Sequence, residues 1–356
     1  MRGKLQLLLC AFSMISSVAL LVSGCSQDKD TEQAKAEEAY VQEIPIHLES
    51  GWAVGGIASN GDMAFCLLTE DVPMTLNLRS AKLCAWDLLS GAETVLYEYT
   101  NADGFYINEL QATANEVFWV RTEGEQCAIE RLDLATREVQ MIEQYNWGGY
   151  DVLLQCDGSY LTWYRLSDET AFIRGYEIAT GTLFDIAEEV VADFPFIRAN
   201  ISDGICAYAV DQGGERKIQV YDLFEKKQLR EIPLDADIAL FNIVADRERC
   251  LYSILKENTV DYRIFVYDYG DGKETVINED ESMYVFYWNY DDGRLFLNER
   301  NDNAILMKTL NTGETSIISN QGNHLYILSR ITSDGSYIVL DSANEVIPVL
   351  TLIKAS

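Results

Sequence analysis

The side chains able to do chemistry here are mainly acids and aromatics. The chain has 57 Asp and Glu against 27 Lys and Arg, and only two histidines, His47 and His324. A triad with His as base therefore has few options. No G-x-S-x-G elbow, P-loop or dinucleotide fingerprint occurs. Ser253 and Lys256 form an S-x-x-K, but inside the strand-like "LYSILKEN" and without companion motifs, so the match is read as chance. The stretch "DYGDGKETVINED" is acidic enough for calcium. However, Gly270, Gly272 and Lys273 stand where an EF-hand loop needs ligands and its glycine, so it reads as a turn between strands. Acid pairs leave a glycosidase open. A retaining enzyme needs two carboxyls about 5 Å apart, a separation the sequence does not supply.

The elements that position these groups follow from an internal repeat of roughly 44 residues. "KLCAWDLLSGAETVLYEY", "AIERLDLATREVQMIEQY", "IRGYEIATGTLFDIAEE", "KIQVYDLFEKKQLREIPL", "RIFVYDYGDGKETVINED" and "AILMKTLNTGETSIISN" each read as strand, polar turn, strand. Asp87, Asp133, Glu177, Asp222, Asp268 and Thr309 align. Upstream of each lies a second hairpin, with turns such as Asn60-Gly61, Asp157-Gly158, Asp203-Gly204 and Asp334-Gly335. Asn-Gly and Asp-Gly tolerate the positive φ of tight hairpins. Four short strands per unit at this period predict an all-β propeller.

Seven upstream hairpins predict seven blades, with six or eight as alternatives. The last unit, "EVIPVLTLIKAS", supplies a third strand and stops. "VQEIPIHLES", residues 41–50, resembles the fourth strands of other units. The expectation is that the N-terminal strand completes the last blade and closes the ring, leaving no open sheet edge. Residues 44–356 are assigned to this domain.

The turn "TSDGSYIVL" resembles those of TolB-like and related bacterial lipoprotein propellers. Trp86-Asp87, Tyr221-Asp222 and Tyr267-Asp268 are similar to the aromatic-Asp pairs of WD repeats, whose Gly-His partner is absent. The resemblance implies fold, not activity.

The N-terminus reads as an export signal, with Arg2 and Lys4, an apolar run from Leu5 to Val22, and then "VSGC". Small residues before Cys25 resemble a bacterial lipobox. That resemblance implies cleavage after residue 24 and a lipid on the Cys25 thiol. Residues 25–43 are polar and read as a flexible acidic tether. The expected location is the extracytoplasmic side of a cell membrane, held by the lipid alone.

The formal charge is −30, or −32 without residues 1–24. Such a field repels nucleic acid and attracts basic partners or cations. Cysteines 66, 84, 127, 156, 206 and 250 lie in apolar runs without CxxC spacing. They read as buried free thiols, with a Cys66–Cys84 bridge as the alternative.

In a propeller the between-blade loops and the second-to-third-strand loops share one face. The latter loops carry Glu70, Asp71, Asp168 and Asp211, and the former carry Trp52, Tyr106, Trp147, Tyr150, Phe194, Tyr284 and Tyr326. Residues 70–80 make the longest such loop, and long loops on a rigid scaffold often carry function. The expected function is non-catalytic binding of an envelope protein, peptide or glycan by a monomer. The alternative is a carbohydrate-active enzyme, a glycosidase or lyase, using paired carboxylates on that face. No cofactor is expected, calcium being the one left open.

Overall fold

Alternating apolar and polar residues in short runs, separated by Gly, Asp and Asn, favour strands. The computed structural model describes residues 40–70, 78–146, 152–167, 170–190, 199–212, 215–235, 240–255, 262–278, 285–291, 293–299, 304–320, 326–331, 337–341 and 349–354. Every regular element among them is a strand. Strand β1 is Tyr40–Pro45. The largest sheet holds β2 (Trp52–Ser59), β3 (Met63–Glu70), β4 (Leu78–Asp87), β5 (Glu93–Ala112), β6 (Glu116–Glu123), β7 (Gln126–Asp133) and β8 (Val139–Asn146). Three four-stranded sheets follow. The first is β9 (Gln155–Cys156), β10 (Tyr160–Ser167), β11 (Thr170–Glu177) and β12 (Thr182–Val190). The second is β13 (Asn200–Ser202), β14 (Ile205–Gln212), β15 (Glu215–Asp222) and β16 (Lys227–Leu234). The third is β17 (Leu240–Ala245), β18 (Arg249–Leu255), β19 (Tyr262–Asp268) and β20 (Glu274–Val276). The next is β21 (Val285–Asp291), β22 (Arg294–Glu299), β23 (Ala304–Thr309) and β24 (Thr315–Asn320). The last is β25 (Tyr326–Ile331), β26 (Tyr337–Asp341) and β27 (Val349–Lys354), completed by β1.

The propeller expectation holds in class, but the count of seven blades is corrected to six. The physical reason is β5. Glu93–Ala112 is one continuous strand that pairs with β4 through its first half and with β6 through its second. The strands expected to form two blades are thereby hydrogen-bonded into a single seven-stranded sheet. A register shift between Asn108 and Gln111, with Glu109 at φ 55°, marks where the pairing with β6 is interrupted.

The N-terminal strand does pair with the last one. β1 runs antiparallel to β27, with Gln42 opposite Leu352 and Ile44 opposite Leu350. Ile44, Ile46 and Leu352 are buried in one core with Ile57, Cys66 and Trp86. β1 begins at Tyr40, four residues before the expected boundary of the folded part.

Neighbouring sheets pack face to face through separate apolar clusters. Leu161, Trp163 and Tyr176 meet Phe118, Val120 and Ile129, for example. Near the axis, contacts run from β2 to β5, β9, β13 and β17, and from β21 to β25 and back to β2. Polar side chains join neighbouring sheets near these strands. Gln111 Nε2 donates to Leu154 O at 2.8 Å, Thr162 Oγ1 to Ala199 O at 2.6 Å, and Asn200 Nδ2 to Asn242 Oδ1 at 2.7 Å. Each satisfies a group that burial would otherwise leave costly.

The aligned acids cap the hairpins. Asp87 Oδ1 accepts from Leu89 N and Ser90 N, Asp133 Oδ1 from Ala135 N and Thr136 N, and Asp222 Oδ1 from Phe224 N and Glu225 N. Four residues after each aligned position the backbone turns left-handed, at Gly91, Arg137, Gly181, Lys226, Gly272 and Gly313. The calcium-like stretch is one of these turns, with Gly272 N donating to Asp268 O at 3.0 Å.

Candidate functional site

In an antiparallel blade the inner strand starts where the second strand ends. Trp52 opens β2 and Glu70 closes β3, and the two are register partners. Fifty-three residues further on, Phe105 and Glu123 oppose each other in the same way, with Tyr106 opposite Thr122. Tyr326, the first residue of β25, faces Asp341, the last of β26. Asp211 lies next to the end of β14, opposite Arg216. The structure thus brings Trp52 and Glu70 together, sets Asp211 and Tyr326 at the corresponding ends of their own sheets, and places Tyr106 within β5 of the sheet that holds Trp52. Asp71, Trp147, Tyr150, Asp168, Phe194, Tyr284 and most of the 70–80 loop lie outside the described residues, as does Cys25.

Two residues that sequence reasoning passed over complete the Trp52 end. Lys82 Nζ, on β4, sits 4.6 Å from the centre of the Trp52 ring. The same ammonium lies 3.4 Å from Glu49 Oε1. Trp52 itself is half-buried against the core that holds Ile44 and Ile57. Lys82 carried a weak signal, being the one charge in "SAKLCAW", where its neighbours Ala81 and Leu83 are buried.

Two carboxylates away from the loop face, Glu130 and the half-buried Glu143, are already held by donors. Glu130 is buried and accepts from Trp119 Nε1 at 2.9 Å, from Arg121 Nε at 2.9 Å and from Tyr99 Oη. Burial, and then the bond to Glu130, push the Tyr99 phenol up, so it stays a donor. Glu143 accepts from Trp163 Nε1 at 3.1 Å and pairs with Arg174 at 3.1 Å and Arg165 at 3.4 Å. A Trp-x-Arg recurs at 119–121 and 163–165, one repeat apart, and each copy holds one acid. Ile129 is the register partner of Glu143, and Ile129 and Glu130 are successive on β7. Successive strand residues point to opposite faces. The two acids therefore face different neighbours and cannot flank one scissile bond. Each is filled by donors: Glu130 ties β5, β6 and β7 within the seven-stranded sheet, and Glu143 joins β8 to β10 and β11 of the next sheet.

The nucleophile candidates are equally enclosed. Ser253 is fully buried and Lys256 lies outside the described residues. Cysteines 66, 84, 127, 156, 206 and 250 are free, and all but Cys156 are buried. Cys66 and Cys84 are register partners without a bridge. Burial raises their thiols, Cys84 to about 12 and Cys127 to about 11. A thiol so raised is a poor nucleophile and metal ligand. Among the described residues no three His, Cys, Asp or Glu side chains cluster to hold a metal ion.

The strand order and closure define a β-propeller, and solved structures agree on that class. The propeller domain of the Trilobed protease from Pyrococcus furiosus, described as having an open velcro topology, matches with TM-score 0.58 and 13% identity. It covers 90% of this chain and 94% of that one. An acylaminoacyl peptidase in complex with Z-Gly-Gly-Phe-chloromethyl ketone matches at 0.57 and 13%, over 82% of this chain and 49% of that chain, so this chain spans about half the peptidase's length. An oligogalacturonate lyase in complex with manganese matches at 0.53 and 13%, over 89% and 96%. At such identities the likeness is one of fold alone. No family model matches the chain, and no curated protein does.

Proposed function

We propose that this protein is a non-catalytic binding module that recognises a protein, peptide or glycan of the cell envelope. Its ligand contacts the sheet end where inner strands begin. The supporting observation is the register pairing of an aromatic residue with an acid at that end, in Trp52 with Glu70, Phe105 with Glu123 and Tyr326 with Asp341. Aromatic faces provide apolar contact and stacking, and the acids add orientation and charge. In this reading the module works outside the cytoplasm, tethered by residues 25–43 to a lipid on Cys25, and acts as a monomer.

The test is capture from native envelope extract, with Trp52→Ala and Tyr326→Ala compared with the unaltered protein. Capture should fall while the urea unfolding midpoints show the variants folded. Turnover of a glycan panel that vanishes on a single Asp or Glu replacement would instead establish the carbohydrate-active enzyme. Membrane fractionation of Cys25→Ser checks the anchor, and the variant should leave the membrane.

A further inference from the structure

We infer that the group this end selects is a primary ammonium, presented by a lysine-bearing peptide segment and seated against Trp52 beside Glu70. The inference rests on the binding reading above and narrows its ligand. The chain already carries one internal example. Lys82 places its ammonium 4.6 Å from the Trp52 ring centre and 3.4 Å from Glu49. A cation over an indole face is attracted by the ring quadrupole, more so when partly desolvated. Lys82 meets that condition, its side chain being 28% exposed.

The local charge is left uneven. Glu49 and Lys82 offset one another, whereas Glu70, directly across from Trp52, has no ion pair among the described residues. Glu98 is the register partner of Lys82, so among the described residues three carboxylates, Glu49, Glu70 and Glu98, surround the single ammonium of Lys82. In the next repeat the position of Lys82 is taken by Ala128, which is opposite Arg121, and Arg121 already serves Glu130 and Glu123. Among the described residues, Trp52 thus has a ring that already attracts an ammonium, which an incoming lysine would displace, and a carboxylate without an ion pair opposite it. The overall charge of −30 favours approach of a basic segment. Lysine suits the slot better than arginine, because the resident cation is a compact ammonium on a flexible stem.

Fluorescence anisotropy with a 12-residue peptide carrying three lysines spaced by glycine and serine tests this, alongside its fully acetylated form. Acetylation should weaken binding by about tenfold or more. Trp52→Leu and Glu70→Gln should each weaken it by about three- to tenfold, the range expected of one cation–π or carboxylate contact. Lys82→Met should strengthen it by freeing the ring face. Glu138→Gln, an exposed acid between β7 and β8, is the control for diffuse attraction and should change binding by less than about twofold. Equal effects of Glu138→Gln, Glu70→Gln and Trp52→Leu would overturn the ammonium slot in favour of general attraction to an acidic surface. Envelope capture that survives both Trp52→Leu and lysine acetylation would overturn it while the binding reading stands. Absence of any envelope capture by the unaltered protein would instead remove the binding reading itself.

Discussion

At the scale of single residues, two positions show opposite local conflicts. Glu130 is a buried charge with three donors, so its removal leaves the Trp119 indole without its partner and Arg121 with Glu123 alone. Breaking such a pair typically costs about 3–5 kcal/mol. Arg121 is still 21% exposed and can reach water, which places Glu130→Ala nearer about 3 kcal/mol. Urea unfolding measures this, and a loss below about 1 kcal/mol would show the joint to be dispensable. Arg137 is the reverse case. Its φ of 63° belongs to glycine, which occupies the equivalent site in four other hairpins. Its side chain is exposed. Left-handed backbone costs a residue with a Cβ about 1 kcal/mol. Arg137→Gly should therefore raise stability by about 0.5–1 kcal/mol, and a lower urea midpoint would contradict the turn assignment.

At the scale of elements, four of the hairpins between third and fourth strands carry an Asp that caps the turn, at Asp87, Asp133, Asp222 and Asp268. Ser90 N and Thr136 N, as the leading donors, hold Asp87 and Asp133 below the ordinary carboxylate range. Burial pushes Asp222 up, but bonds from Glu225 N and the Arg247 guanidinium more than offset this, and its pKa is also lowered. A carboxylate depressed in the folded state contributes stability above its unfolded pKa, near 4, and loses it as pH falls through the folded value. The triple variant Asp87→Asn, Asp133→Asn, Asp222→Asn keeps the turn acceptor and loses the titration. Its urea midpoint should fall less steeply than that of the unaltered protein between pH 4 and pH 2. Parallel slopes would mean that other acids set the acid limit. The first-to-second-strand turns also limit sequence drift: at Gly204, between β13 and β14 with φ 70°, an added Cβ would overlap the Phe224 ring.

At the scale of the whole molecule, closure by β1 is the feature with most leverage. β27 has β26 on one side and β1 on the other, so loss of β1 leaves its hydrogen-bonding groups bare. Ile44 and Ile46 are buried, and each such side chain contributes about 1.5–3 kcal/mol. Deleting residues 1–46 should lower the thermal midpoint by several degrees and promote aggregation through the exposed edge. Scanning calorimetry with light scattering checks both, and a synthetic peptide of residues 38–50 should restore the midpoint. Unchanged melting would show that the last sheet is complete without its N-terminal strand.

Much of this was legible along the chain. Alternation and turn residues specify strands locally, so the hairpins, the all-β class and the pairing of residues 41–45 with 349–353 follow from pattern. The aligned Asp recurs at 87, 133, 222 and 268 because its carboxylate accepts from the turn's backbone amides. The aromatic and acidic residues that share one sheet end also follow from the repeat, since strand direction fixes which end a residue occupies. Blade count did not follow. Whether "ETVLYEYTNADGFYINELQA" breaks into two strands or runs through as β5 depends on pairing with both β4 and β6, and no local signal sets that. Nor could spacing show that Lys82 reaches back over Trp52, or that Glu130 and Glu143 serve opposite faces. Those are contacts between strands distant in sequence, and only the packed sheets decide which side chains share a space.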